Sequence, residues 1–340
     1  MTNKNITIGL LVGGASPERE VSKDSCVSIL NALKNLGYNY VLIDPAYGLD
    51  QPKEEKDFFE HKDLSEISYK NYVKAIDSKI LDNVDLVFIG LHGKWGEDGT
   101  VQSLIELRGL KYTGSGVLSS ALAMDKSASK VMFQQYGVRT PKWCVVQNNS
   151  VDLKLLDNKI KLFFGYPCIV KPNDQGSTIG LTVCRGEVEL KAAIESALNF
   201  SDKALIEEYI PGRELTVGVM DKEVLPVLEI KPKHGLYDYE CKYSNGMSEY
   251  EVPANLPSRL AKRLKQQAML AFSALGCKNY ARCDFRVNKW NRAYCLEVNT
   301  LPGMTSHSLV PKMAKSIGIG FDELIDKIIK FELEDENSKK

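Results

Sequence analysis

The stretch Ile6-Thr-Ile-Gly-Leu-Leu-Val-Gly-Gly14 decides how the first third of this chain folds. Residues 6–12 form a continuous apolar run of strand length that stops at two glycines. Behind them Cys26, Ile29, Leu30, Leu33 and Leu36 recur at helical spacing, so the unit reads as strand, glycine loop and amphipathic helix. Gly37 stops that helix, residues 40–43 predict a second strand and residues 84–91 a third, which together predict a parallel α/β arrangement. A dinucleotide-binding turn needs a third glycine for close packing of helix on strand. Pro17 and Glu18 stand in its place, which argues against a dehydrogenase.

Working outward, residues 51–70 are polar with weak periodicity and predict a surface excursion. The glycine-rich Tyr112-Thr-Gly-Ser-Gly116 reads as a linker, and residues 126–137 as a helix that opens a second unit. From residue 168 the pattern changes to short β segments at 168–171, 181–184, 204–210, 215–220 and 224–230, with hairpin spacing around Asp221-Lys222. Helices at 188–198 and 258–275 interrupt them, and residues 281–287 and 293–298 predict a last hairpin. The second half is therefore expected to be α+β.

A chain of 340 residues predicts two or three domains, each large enough to bury a core. The 44 basic and 44 acidic side chains cancel, which removes the general argument for nucleic acid or an anionic membrane as partner. Any anion site must be local. No apolar run approaches the ~18 residues of a membrane helix, and residues 6–12 are too short and poorly flanked for a secretory signal, so a cytoplasmic location is expected. Eight scattered cysteines with no Cys-x-x-Cys pair read as buried, reduced thiols.

The chemistry concentrates in the second half. Asp284 and Glu297 fall on the two strands of the last hairpin, and Asn299, two residues beyond Glu297, projects to the same face. Two carboxylates and an amide suit a hard cation such as magnesium, although a solvated hairpin would carry the same residues. Lys171 ends the apolar Ile169-Val-Lys-Pro172, and Asp174-Gln-Gly-Ser-Thr-Ile-Gly180 follows. Such a loop can lay backbone N–H groups on phosphates while the lysine supplies charge. Taken alone, that sequence is accounted for more simply by a plain β-turn.

Taken in order, these pieces resemble the D-alanine:D-alanine ligases of the ATP-grasp carboxylate-amine ligase family. The carrying residues are Gly13-Gly-Ala-Ser-Pro-Glu-Arg-Glu-Val-Ser22, His92-Gly-Lys-Trp-Gly-Glu-Asp-Gly-Thr100, Tyr112-Thr-Gly-Ser-Gly116 with Met124-Asp-Lys126, and Ile169-Val-Lys-Pro172 with Gly176-Ser177. To these are added Tyr237-Asp-Tyr-Glu-Cys-Lys-Tyr243, Arg282-Cys-Asp284 and Glu297-Val-Asn-Thr-Leu-Pro-Gly-Met-Thr-Ser-His-Ser308. Residues 51–70 and the tail after residue 330 look unlike the family.

The resemblance implies a three-domain ATP-grasp fold: an N-terminal Rossmann-like parallel sheet domain at 1–115, a central subdomain at 116–208 and a C-terminal subdomain at 209–340. It implies synthesis of D-alanyl-D-alanine through a D-alanyl phosphate for bacterial peptidoglycan, by a cytoplasmic homodimer whose only other partners are small substrates. ATP would be held by Lys126, Lys171, Glu207, Tyr209, Ile210, Glu214 and Lys242, and two magnesium ions, replaceable by manganese, by Asp284, Glu297 and Asn299. Glu18, Ser177, Tyr243, Arg282 and Gly303 match the catalytic groups. Glu18, His92, Arg282, Gly303, Ser308 and Leu309 match the D-alanine sites. Without the family, Glu18 is a first-turn helix acid and Ser308 an N-cap serine. Other readings are a same-fold ligase using D-lactate or D-serine as acceptor, or a catalytically silent nucleotide-binding regulator.

Overall fold

A computed structural model describes residues 5–147, 151–233 and 247–334. The opening stretch is β1, Thr7–Leu11, the middle strand of a parallel sheet of order β2-β1-β3 with β2 at Asn39–Ile43 and β3 at Leu86–Ile89. A strand covered on both faces has no solvent side, which is why the sequence shows a continuous apolar run instead of alternation. Helix α1, Arg19–Leu36, buries Cys26, Ile29, Leu30 and Leu33 and ends at Gly37 with φ +74, a left-handed turn that glycine enters at no steric cost. Short helices α2, Tyr72–Ile76, and α3, Thr100–Leu107, complete this part.

Helices α4, Val117–Met124, and α5, Lys126–Gln135, lead into a four-stranded antiparallel sheet of order β4-β7-β5-β6. Its strands are β4, Trp143–Val146; β5, Cys168–Pro172; β6, Thr182–Cys184; and β7, Ala204–Glu208. It is covered by α6, Leu153–Phe163, and α7, Glu187–Leu198, which share a separate apolar core with it. The third sheet, of order β11-β10-β8-β12-β13, has the small strand β9 paired with the end of its middle strand β8. Its strands are β8, Arg213–Met220; β9, Glu223–Val224; β10, Leu228–Pro232; β11, Ser248–Glu251; β12, Tyr280–Val287; and β13, Ala293–Asn299. Along β12 burial alternates residue by residue, because one face packs on α8, Ser258–Ala274, and the other faces a cleft.

The end of the chain returns to its beginning. Helices α9, Leu309–Lys315, and α10, Phe321–Glu334, bury Leu309, Val310, Leu324, Ile325 and Ile328 in the same core as β1 and β3. Tyr38 donates to Asp326 at 2.8 Å and Asn35 to Asp322 at 3.0 Å across the α1–α10 contact. No described helix is long and apolar enough to cross a membrane. All seven cysteines among the described residues are free and buried.

Residues 51–70 form the expected surface excursion, mostly exposed and without a strand or long helix, but a few points tie it down. Phe58 is buried, Lys34 pairs with Glu55 at 2.6 Å, and buried Lys23 donates to the carbonyl of Glu60 at 2.6 Å. Polar anchors to a distant helix leave no periodicity, so local sequence pattern cannot reveal them. The same segment supplies Asp63 to Arg19 at 2.8 Å, while the other side of that guanidinium meets fully buried Asp44 at 2.6 Å. Asp44 also accepts the N–H groups of Gly14 and Ala46, and Arg19 donates to the carbonyl of Gly14. Gly13 has φ +76, and a Cβ there would stand 2.4 Å from Asp44, so the turn before Glu18 is fixed by charge and by the lack of a side chain.

Removing one partner of such a pair leaves an uncompensated buried charge. Asp44→Ala is expected to destabilise the protein by about 3 to 5 kcal/mol, measured by urea unfolding. A loss below about 1 kcal/mol, the range of an exposed pair, would show that Arg19 does not need Asp44.

Candidate active site

The β12–β13 hairpin is where side chains from the last two strands meet. Its register sets Asp284 opposite Glu297 and Arg282 opposite Asn299, with an irregularity after Asp284. Arg282 forks onto Asp284 through Nε at 2.9 Å and Nη2 at 2.8 Å, and Thr216 on β8 donates to the same carboxylate at 2.7 Å. Glu297 lies 3.3 Å from the ammonium of Lys126. The side-chain oxygen of Asn299 is buried without a hydrogen-bond partner, as expected of an acceptor that faces a ligand. Two carboxylates and that amide fit a hard divalent cation completed by substrate oxygens. Among the described residues no cluster of three His, Cys, Asp or Glu side chains could hold an ion by itself.

A cleft of about 1030 Å³ between the second and third sheets is lined by Lys126, Lys171, Glu207, Tyr209, Ile210, Glu214, Arg282, Asp284 and Glu297. It brings together every expected nucleotide residue except Lys242, which with Tyr243 lies outside the described residues. Lys126 is the first residue of α5, whose N-cap Asp125 accepts from Ala128, Ser127 and Lys203. Its ammonium donates to the carbonyl of Gln175 at 2.8 Å, tying the helix to the glycine loop. In that loop Ser177 and Thr178 take φ +52 and +64, a region a non-glycine residue enters only under local constraint.

The resemblance places Glu207 among the nucleotide's adenine and ribose contacts. In the structure its two oxygens face two lysines, Lys171 at 2.6 Å and Lys130 at 2.8 Å. Burial alone would raise this carboxylate's pKa, but Lys130 and Lys171 hold it down at about 2. The lysines shift in opposite directions. Burial and repulsion by Lys171 keep Lys130 below the ordinary lysine value, against the opposing pull of Glu207 and, after it, of Cys295. For Lys171 the pull of Glu207, reinforced by Glu297 and Glu214, outweighs burial and raises it. Lys130 escaped the sequence reading. Its spacing of four from Lys126, which puts both on one helical face, was the available signal.

A second cleft adjoins the first and shares Gly176, Ser177, Arg282 and Glu297 with it. Its wall carries Glu18, His92, Gly303, Ser308 and Leu309, which with Arg282 are the expected D-alanine residues, and also Asn299 of the expected metal set. Ser177 donates to the carboxylate of Glu18, linking the glycine loop to the start of α1. At Gly93 a Cβ would stand 2.6 Å from Glu18, and at Gly176 3.1 Å, so both glycines make room for that carboxylate. His92 is buried, with Nε2 3.0 Å from the Ser25 hydroxyl and Nδ1 3.0 Å from the carbonyl of Leu301. Burial would lower its pKa, but Glu97 at 3.3 Å, with Glu18 beyond, raises it. Ser25 also receives the N–H of Met304, so a serine missed in the sequence braces the loop that holds Gly303. The hydroxyl of Ser308 does not cap α9. It accepts from the N–H of Thr305 at 3.0 Å and sets that loop's return.

Chemically, one cleft offers lysines and a cation-binding corner, the other an acid and backbone N–H groups, and Arg282 stands where they join. A polyphosphate and a small zwitterion can meet there.

Family models agree with this arrangement. The one described as D-ala D-ala ligase N-terminus matches residues 7–115, and the one described as D-ala D-ala ligase C-terminus matches residues 132–330. The D-alanine–D-alanine ligase of Syntrophotalea carbinolica is 42% identical over 322 residues, 95% of this chain and 94% of that protein. The crystal structure of the Bacillus anthracis D-alanine–D-alanine ligase complexed with ATP superposes with a TM-score of 0.77 at 32% identity, covering 98% of this chain and 99% of that one. The VanG D-Ala:D-Ser ligase from Enterococcus faecalis superposes with a TM-score of 0.80 at 30% identity over 96% and 99%.

Glu207→Gln leaves two buried ammonium groups facing a neutral acceptor and is expected to cost about 3 kcal/mol or more. The native carboxylate's pKa lies below its ordinary 4.5, so its contribution is complete above pH 4.5 and is lost as pH falls from 4.5 toward 2. The stability gap between wild type and Glu207→Gln should therefore stay level near neutrality and close over that acid range. Thermal unfolding of both proteins against pH measures it. A gap that persists unchanged to pH 2 would contradict the depressed pKa.

Proposed function

Because the chain belongs to the D-alanine–D-alanine ligase family over nearly its whole length, we propose that it joins two D-alanines at the expense of ATP, making the dipeptide used in bacterial peptidoglycan. The observation that carries this reading is the meeting of the two clefts at Gly176, Ser177, Arg282 and Glu297. A carboxylate held in one can there reach the terminal phosphate of a nucleotide held in the other.

The carboxylate of Glu18 holds the ammonium of the first D-alanine and turns its carboxylate toward the junction. Attack on the γ-phosphorus releases ADP and leaves D-alanyl phosphate. The deprotonated amine of the second D-alanine then attacks the acyl carbon and phosphate leaves. Negative charge grows first on the phosphoryl oxygens and then on the tetrahedral oxyanion. Lys126, Lys171 and Arg282 stabilise the former, and Arg282 with the N–H of Gly303 the latter. Ser308 and the start of α9 receive the second D-alanine's carboxylate, and Ser177 fixes Glu18 in its working direction. Tyr209 and Ile210 offer backbone and side-chain surface to the adenine, and Glu214 faces the ribose.

Asp284, Glu297 and Asn299 would hold magnesium, with manganese as a substitute of the same hard character, and the ion would neutralise phosphate charge. We assign the roles of Lys242 and Tyr243 from the resemblance. The homodimeric state and cytoplasmic location belong to the same proposal.

Phosphate release from ATP should require D-alanine, be negligible with L-alanine, and yield D-alanyl-D-alanine by mass spectrometry. Equal release with both enantiomers, or a product made only with D-serine or D-lactate present, would reject the assignment. Arg282→Met should lower kcat by about a hundredfold, since a preorganised charge at the growing anion is lost. Retention of wild-type kcat would remove Arg282 from the reaction.

A further inference from the structure

The cations facing the nucleotide cleft are already balanced by carboxylates. Lys171 lies 2.6 Å from Glu207, Lys126 3.3 Å from Glu297, Arg286 3.0 Å from Glu214, and Arg282 2.8 Å from Asp284. A triphosphate that draws on Lys171 must compete with Glu207 for the same ammonium. Glu207 is 3% exposed, so water cannot replace a partner that leaves it. Its backbone cannot follow Lys171 either, because β7 is hydrogen-bonded on both sides, with Trp143 opposite it on β4 and Ile169 opposite it on β5.

One further cation touches Glu207. Lys130 on α5 is fully buried, lies 2.8 Å from the carboxylate, donates to the hydroxyl of Thr140 at 2.7 Å and stands 5.7 Å from the centre of the Trp143 ring. It is not among the residues that line the cleft, so it cannot itself reach a phosphate. We propose that Lys130 is a positioning residue for nucleotide binding: it stays with Glu207 as a permanent counter-ion, so that Lys171 can turn its ammonium to the phosphates. This rests on the ligase reading of the cleft given above.

The charge count gives the reason. Lys130, Lys171 and Glu207 together carry one net positive charge, which remains available to an incoming anion. Without Lys130 the cluster is neutral, and any phosphate that takes Lys171 leaves behind an unpaired, buried carboxylate beside the nucleotide's own negative charge. The opposite pKa shifts of the two lysines agree with this division. Lys171 is held by several carboxylates around the cleft, whereas the carboxylate acting on Lys130 is Glu207, with Cys295 adding to it.

The test is a double-mutant cycle on Lys130→Met and Glu207→Gln in the full chain. The probe is the β,γ-imido analogue of ATP with magnesium, its Kd measured by calorimetry, alongside steady-state KM values. Lys130→Met should weaken analogue binding and raise the KM for ATP by about tenfold or more, a part of what leaving a buried charge uncompensated costs. The KM for D-alanine should stay within about twofold, the error of additivity between independent sites. In the Glu207→Gln background the carboxylate no longer competes, so adding Lys130→Met should change the analogue's Kd by no more than that same margin. A folded Lys130→Met protein with unchanged Kd overturns the proposal, and so does an equal loss with and without Glu207. Should Lys130→Met alone fail to fold, Glu207→Gln against the double variant still decides: equal affinity supports the proposal and a further tenfold loss overturns it. Wild type that binds the analogue but releases no phosphate with D-alanine would instead reject the ligase reading, and the Kd values would still judge Lys130.

Discussion

Glu207 is held between Lys130 and Lys171 with almost no exposure, and the nucleotide cleft is built around that balance. A cleft for a polyphosphate needs buried positive charge, yet uncompensated buried ammonium groups cost more than their later attraction for a ligand returns. Carboxylates from the facing strands resolve this. Glu297 serves Lys126, Glu214 serves Arg286 and Asp284 serves Arg282, each supplied by β8, β12 or β13. The result is a pocket of many charges and little net field. An incoming anion acts by exchanging partners within it.

The strand ladders make that exchange geometrically possible. Antiparallel pairing alternates side chains between two faces, and the register shift that skips Leu296 resets that alternation, so Arg282, Asp284, Glu297 and Asn299 line the two clefts while Cys283, Cys295 and Val298 fill the core against α8. The first sheet contributes differently. Its β1 ends in a glycine turn locked by Arg19 and Asp44, and this sets the start of α1 and the carboxylate of Glu18. Because α9 and α10 pack on that sheet, the loop carrying Gly303 is brought to the same place and braced by Ser25 and His92.

Much of this was legible in the chain itself. The buried parallel strand declared itself as an unbroken apolar run, α1 by its helical spacing and Gly37, and the last hairpin by two β segments that carry Asp284, Glu297 and Asn299 at matching offsets. The motifs from Gly13 to Ser308 were enough to place the family. The segment 51–70 is the surface excursion its polarity implied, but its anchors at Phe58, Glu55, Glu60 and Asp63 did not show, because they are contacts to residues far away in sequence. Lys130 and Ser25 were passed over for the same reason.

The sequence by itself therefore determined the elements, their order and the kinds of chemistry available, since hydrophobic periodicity, turn residues and residue type are local properties. Only the tertiary structure decided which charges neutralise one another. It set Glu207 on two lysines and left the Asn299 oxygen unpaired, and it made Ser308 brace its own loop instead of capping a helix. The physical reason is that the strength of a charge or hydrogen bond depends on burial and on a partner's position to within a few tenths of an ångström. Both are fixed by packing between segments that are distant in sequence.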